Sequence, residues 1–270
     1  MGMGNSLFPF RMSHLPAMLD QIPTALLVIF RIGGLMIYGP VFGSRVIPVR
    51  VKVFLSFVIG LAVFRMIDTE HLQQVPLELN LWSLAPMVAM ELLIGLTIGF
   101  LASLPLVSLQ IGGLIMGQQM GLGLARSFNP VINDQANVVG QLLFLMALAG
   151  FVLIGGHEAM VLAVLNSFQH IPLGTFRLDP EFAAVLTGLL TASLEVALRV
   201  AAPLLALIFL QTLAMGFVAK TVPQLNILSL GFPLRILGGL LIVTLGLVVI
   251  DDVVMEMVDE VLQLIFELFG

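Results

Sequence analysis

Charged side chains inside otherwise apolar stretches are the first candidates for chemistry, and Arg31, Glu91, Glu195 and Arg199 are singled out. A charge inside a segment that meets hydrocarbon is costly, so such groups face protein or a water-filled cavity and pair there. Glu195 and Arg199 stand i, i+4 with the acid first, which lets them pair along one helix face. Structural pairing between helices or subunits suits these charges, and so does a proton or ion pathway, although four scattered groups make a thin relay. The other reactive types do not assemble into a centre. There are no cysteines, which removes disulfides and thiolate metal sites. Of His14, His71, His157 and His170, only His157, in Gly156-His157-Glu158, has a zinc-protease-like setting, and Val161 stands where the second histidine would be. No glycine-rich phosphate loop precedes a lysine. The residues thus argue for a protein that is not an enzyme and uses no metal or cofactor.

A second kind of candidate is the polar stretch from Gln110 to Gln141. Gly113, Gly117 and Gly121 recur every four residues, a spacing that lets helix backbones approach closely. Gln118, Gln119, Arg126, Asn129, Asn133, Asp134 and Gln135 make the stretch too polar to meet lipid, and irregular backbone at membrane depth survives only against protein or a wet cavity. A pore-lining or pore-closing element fits, with Met116 and Met120 as flexible side chains able to seal irregular gaps. An ordinary helix end followed by a cytoplasmic loop, with the methionines as packing, fits as well.

The elements that would carry these residues are helices in a membrane. Of 270 residues 59% are apolar and only 10% charged, against roughly 25% charged in a soluble domain. The mean hydropathy is +1.12. A net charge of -5 offers no basic footprint for nucleic acid. Six apolar blocks follow one another: Ile22 to Gly39, Val51 to Ile67, Leu81 to about Ile115, Val138 to Ile154, Phe182 to Val218, and Ile227 to Ile250. No polar domain separates them, so residues 1–270 read as a single membrane-embedded helical domain. About 20 apolar residues cross ~30 Å of hydrocarbon, and blocks three and five exceed that. Each is therefore expected to be a helical hairpin or a long helix kinked at Pro86, Pro105 or Pro203.

Loop charges suggest an orientation. Arg45, Arg50 and Lys52 follow block one, whereas Asp68, Glu70 and Glu78 follow block two. Arg126 follows block three, Asp179 and Glu181 with Arg177 follow block four, and Lys220 follows block five. Basic residues favour alternate loops, as the positive-inside rule expects, and six crossings would put both termini outside the cytoplasm. The tail, residues 251–270, reads as an amphipathic acidic helix. Asp252, Glu256, Asp259, Glu260, Gln263 and Glu267 lie on one side, and Val254, Met257, Val258, Val261, Leu264, Ile265 and Leu268 on the other. Its acidic face disfavours anionic lipid, so its apolar face is expected to seat on a protein partner or to extend block six into water.

Gly117-Gln118-Gln119-Met120-Gly121, with Ala125, Asn129 and Pro130, resembles a signature of the FliR family of flagellar and type III secretion export-gate membrane proteins. Further segments agree in the same order. They are Arg31, Pro40 and Ile47-Pro48-Val49-Arg50-Val51-Lys52; Gly156-His157 with Ser167-Phe168 and Ile171-Pro172-Leu173-Gly174; and Pro223-Gln224-Leu225-Asn226 with Gly231-Phe232-Pro233-Leu234. Asn129 departs from the family's usual aspartate, and Arg126 adds a charge beside it.

The resemblance implies an all-α subunit of a helical hetero-oligomeric export gate in the bacterial inner membrane, at the flagellar basal body. FliP-like and FliQ-like membrane subunits would be its partners, with a FlhB-like subunit around the entrance and unfolded flagellar proteins as cargo. Part of such a complex stands beyond the bilayer on the periplasmic side, which would accommodate over-long helices. The family's plug falls on the Gln110 to Pro130 region, so Gly113, Met116, Gly117, Gln118, Gln119, Met120, Gly121 and Phe128 become the expected pore-closing residues. The competing reading is a stand-alone secondary transporter with a midplane site built from Glu91, Glu195 and Arg199.

Overall fold

The computed structural model describes residues 21–66, 81–122, 137–176, 179–222 and 227–269. Within them the chain forms seven helices: α1 (Ile22–Tyr38), α2 (Val49–Met66), α3 (Leu81–Gln119), α4 (Val138–Leu153), α5 (Gly156–His170), α6 (Pro180–Thr221) and α7 (Ile227–Phe269). The protein is an all-α integral membrane protein. α3 is its spine: α1, α4, α5, α6 and α7 all pack against it, and α2 leans on α1.

Helix boundaries follow local chemistry. Proline in the first turn opens α1 and α6, where its missing N–H costs nothing. Asn137 caps α4 by accepting a hydrogen bond from the Gly140 N–H at 3.0 Å. Gly155, in the left-handed region at φ 78°, ends that helix, and α5 departs at 64° to it. Val41, in the turn after α1, also sits at positive φ, 69°, a strained conformation for a β-branched residue.

Blocks three and five are single unbroken helices, not hairpins. α3 runs through Pro86 and Pro105, and α6 through Pro203. At ~1.5 Å per residue, the 42 residues of α6 and the 43 of α7 each extend about 63–65 Å, twice the hydrocarbon thickness. Among the described residues three helices are long and apolar enough to cross a membrane, α3, α6 and α7, and the bent α4–α5 pair makes up to four. That is fewer than the six crossings expected from the apolar blocks. α1 is apolar but short, with Leu27, Val28, Ile32, Leu35 and Met36 buried. α2 carries Arg50, Lys52 and Arg65.

The tail continues α7 without a break and buries its apolar face on its own chain rather than on a partner. Met257, Val258, Val261, Leu262, Ile265 and Phe269 are buried, while Glu256, Asp259, Glu260, Gln263 and Glu267 are exposed. Phe269 meets Phe182 of α6 edge-on, and the Ser108 hydroxyl of α3 points to the Met257 sulfur at 3.7 Å.

The closest helix contact is α1 on α3. A Cβ added at Gly95 would overlap the Arg31 carbonyl oxygen, and one at Gly34 would overlap the Leu92 carbonyl. Glycine at both positions lets the backbones touch. Gly95→Ala should therefore lower thermal stability in detergent, by about 1–3 kcal/mol as for other overpacked sites. Gly188→Ala, which meets open space on α6, should leave the melting temperature unchanged or slightly raised. Equal melting of the two variants would contradict the packing described.

Candidate functional site

Two constellations stand out, one at each end of the interior of α3. The first gathers Arg31, on α1, and Glu91, on α3, both 0% exposed. Arg31 Nε donates to Glu91 Oε2 at 2.5 Å. The rest of the guanidinium is also satisfied: Nη1 donates to Ser167 Oγ and Nη2 to the Ile171 carbonyl, each at 3.1 Å. The Phe168 ring lies 4.4 Å from Arg31 Cζ, a cation–π stack. The other Glu91 oxygen, Oε1, accepts the Gly174 N–H at 2.8 Å. The pair thus ties α1 and α3 to the end of α5 and to the turn that leads towards α6.

Ser167, Phe168, Ile171 and Gly174 were visible in the sequence only as separate motif residues, and the geometry joins them around Arg31. The Arg31–Glu91 partnership itself spans 60 positions and has no local signature. Glu195 and Arg199 pair with each other at 2.9 Å, with side chains 66% and 73% exposed, on the outer face of α6. Arg31, Glu91, Glu195 and Arg199 therefore form two separate pairs and do not converge on one site. Among the described residues no group of three or more His, Asp or Glu side chains gathers as a metal site would. The His157 imidazole is 3.9 Å from its neighbour Glu158.

The second constellation is the C-terminal end of α3. The Leu122 N–H donates to the Gly117 carbonyl at 3.1 Å, and the Gly121 N–H to the Gln118 carbonyl at 3.0 Å. This is a Schellman stop, with Gly121 as the left-handed residue at φ 85°. A side chain at 121 would be strained, and its Cβ would come within 2.6 Å of the Phe232 ring on α7. Gly113 lies backbone-to-backbone against Gly140 of α4, where an added Cβ would come 2.5 Å from the Gly140 Cα. Gly117 has no such constraint, since its nearest neighbour is Val139 at 3.9 Å.

Met116 and Met120, expected as a seal, are packed inside the chain at 2% and 0% exposure, and Met120 fills the space over Gly239 of α7. Gln118 and Gln119 point outward. Phe128, with Arg126, Asn129 and Pro130, lies outside the described residues.

The buried pair yields a quantitative expectation. Removing one partner leaves the other charge uncompensated in a dry site and costs about 3–5 kcal/mol. Arg31→Met or Glu91→Leu should each sharply lower the melting temperature in detergent. The double variant Arg31→Met/Glu91→Leu should recover much of the loss. Strict additivity of the single effects would show that the two side chains do not act as a pair.

The sequence pattern of the family described as "Bacterial export proteins, family 1" matches residues 22–261. The chain is 29% identical over 255 residues to the "Flagellar biosynthetic protein FliR" of Bacillus subtilis (strain 168), covering 93% of this chain and 95% of that protein. It is 25% identical to the protein of the same name from Escherichia coli (strain K12), over 90% of this chain and 91% of the relative. Similarity extends to the "Yop proteins translocation protein T" of Yersinia pestis, 26% identical over 59% of this chain and 62% of that protein. Both constellations lie within the matched residues, and the match covers nearly the whole chain: it belongs to the bacterial export proteins, family 1, the FliR family that its motifs resemble.

Proposed function

We propose that this chain is a non-enzymatic subunit of a type III protein export apparatus, of the flagellar kind, in the bacterial inner membrane at the basal body. The observation that carries the reading is the family match over residues 22–261. Its flagellar relatives align over more of the chain than the virulence-type relative does, which favours flagellar cargo. On this reading the protein assembles with FliP-like and FliQ-like subunits and a FlhB-like subunit, and residues 1–270 act as one helical domain in the wall of a conduit for unfolded flagellar proteins.

The broad exposed apolar faces support assembly. Phe209, Leu210, Leu213 and Phe217 on α6 and Leu237, Leu241 and Leu245 on α7 are mostly open in the single chain. Helices this long also carry apolar faces beyond any bilayer, Leu190, Leu194 and Leu198 of α6 among them, where only other protein can shield them.

The pore-closing role belongs, in this proposal, to the end of α3 and the segment C-terminal to it. The Schellman stop fixes where the helix ends, Gly113 and Gly121 seat that end tightly on α4 and α7, and Met116 and Met120 anchor it from within. Gln118 and Gln119 are the exposed groups left to meet the conduit, with Phe128 further along the chain. A stand-alone transporter would need its ionisable groups free around substrate. Glu91 is committed to Arg31, and Glu195 to Arg199, which favours the export reading.

Tagged protein purified from its native membrane should carry different small membrane proteins with it, and a stable monomer or homo-oligomer would overturn the reading. Gly121→Val should raise small-ion leak or depress secretion of filament protein in cells. So should Gln118→Leu/Gln119→Leu, which touches no buried contact. If both variants left leak and secretion unchanged, the closing role would be wrong.

A further inference from the structure

A groove of about 300 Å³ runs between α6 and α7, outside both constellations, walled by Met215, Gly216, Ala219, Gly231 and Phe232 and ending at Arg235. Three of its residues are glycine or alanine, so the helices part there and leave space; a Cβ at Gly216 would meet nothing within 4 Å. The walls are apolar, and the single charged group in them is a cation.

Arg235 lies inside the apolar stretch Ser229–Leu247 of α7. It is partly exposed, its Nη2 donates only to the Thr212 hydroxyl at 3.1 Å, and it has no carboxylate partner among the described residues. A lone guanidinium at that depth calls for an anion. Lys220, exposed near the end of α6 next to Ala219 of the groove, adds a second positive charge at the groove's other end.

The surrounding faces identify what brings the anion. Between Arg199 and Lys220, residues 200–219 carry no charge, about 30 Å of helix at ~1.5 Å per residue, which is the hydrocarbon thickness. A bilayer crossed by these residues would have the Lys220 end of the α6–α7 hairpin at headgroup level. Phe217, Leu234 and Leu237 beside the groove are exposed and apolar, so acyl chains are its natural neighbours.

We propose that this groove binds one anionic phospholipid, its phosphate drawn down to Arg235 with Lys220 at the mouth, and its glycerol and upper acyl chain lying along Gly216, Ala219 and Gly231. A basic pocket between membrane helices is a recurring way to hold an anionic headgroup. Phe232 forms a wall of the groove and also packs on Gly121, so an occupied groove would brace the stop of α3.

The full chain, alone in detergent or within its purified assembly, is titrated with phosphatidylglycerol, phosphatidylcholine or inorganic phosphate and read by native mass spectrometry and thermal unfolding. Phosphatidylglycerol should be retained and raise the melting temperature, whereas phosphatidylcholine and inorganic phosphate should do neither. Arg235→Gln should weaken phosphatidylglycerol retention about fivefold, as expected for one basic group at an anionic headgroup. Gly216→Leu, which fills the groove without touching a core contact, should abolish retention with the fold intact. Equal retention of the two lipids, equal protection by inorganic phosphate, or no change in Gly216→Leu would overturn the proposal. So would a cross-link from position 216 to another protein subunit in a groove free of lipid.

Discussion

A guanidinium and a carboxylate shut away from water set the terms for the N-terminal half of this protein. Burying either charge alone would be prohibitive, and burying both is tolerable only when attraction and hydrogen bonds replace the lost hydration. Arg31 and Glu91 meet that condition through each other and through Ser167, Ile171 and Gly174. Each of those contacts restricts where a helix or turn can be. α1 must lie close enough to α3 for the pair to meet, which is possible because Gly34 and Gly95 remove the side chains that would hold the backbones apart. The turn after α5 must fold back so that a carbonyl and an N–H face the pair. α6 begins at Pro180, shortly beyond Gly174, so a polar node in an apolar protein sets the direction of its longest hairpin.

The opposite end of α3 is organised by different physics. No charge is involved there; the helix is stopped by a left-handed glycine, Gly113 rests on Gly140 of α4, and the buried Met120 packs over Gly239 of α7. A helix gripped by an ion pair near one end and by shape near the other is a rigid strut. What it presents beyond that second grip, Gln118 and Gln119, is displayed in a defined place. The groove between α6 and α7 shares Phe232 with the same end, which brings the groove within one side chain of it.

Much of this was legible in the residues alone, and the gaps have physical causes. Hydrophobic blocks located five helices to within a few residues and the start of α7, whose far end runs on through the acidic tail to Phe269; the apolar runs end near Pro180, Asn137 or Gly39. α5 was not seen as a block, since His157, Glu158, Asn166, Ser167 and His170 interrupt its apolar face. Pro86, Pro105 and Pro203 do not announce whether a helix breaks, because neighbours can re-satisfy the freed carbonyls, and here the helices continue. The Glu195–Arg199 pair is written in its spacing, whereas Arg31 and Glu91 meet only through tertiary packing. The methionines were misleading for a related reason. A flexible thioether suits a moving seal and a tight core equally, and only the neighbours, such as Gly239, distinguish them.

The length of α6 and α7 has a consequence for the unassembled protein. A rod of about 63 Å threaded through a film of about 30 Å extends well beyond it. On α6 the part outside residues 200–219 still exposes Leu190, Leu194 and Leu198, which are in the wrong solvent unless other protein covers them. A copy on its own would therefore show water an apolar surface of the kind that chaperones and proteases recognise.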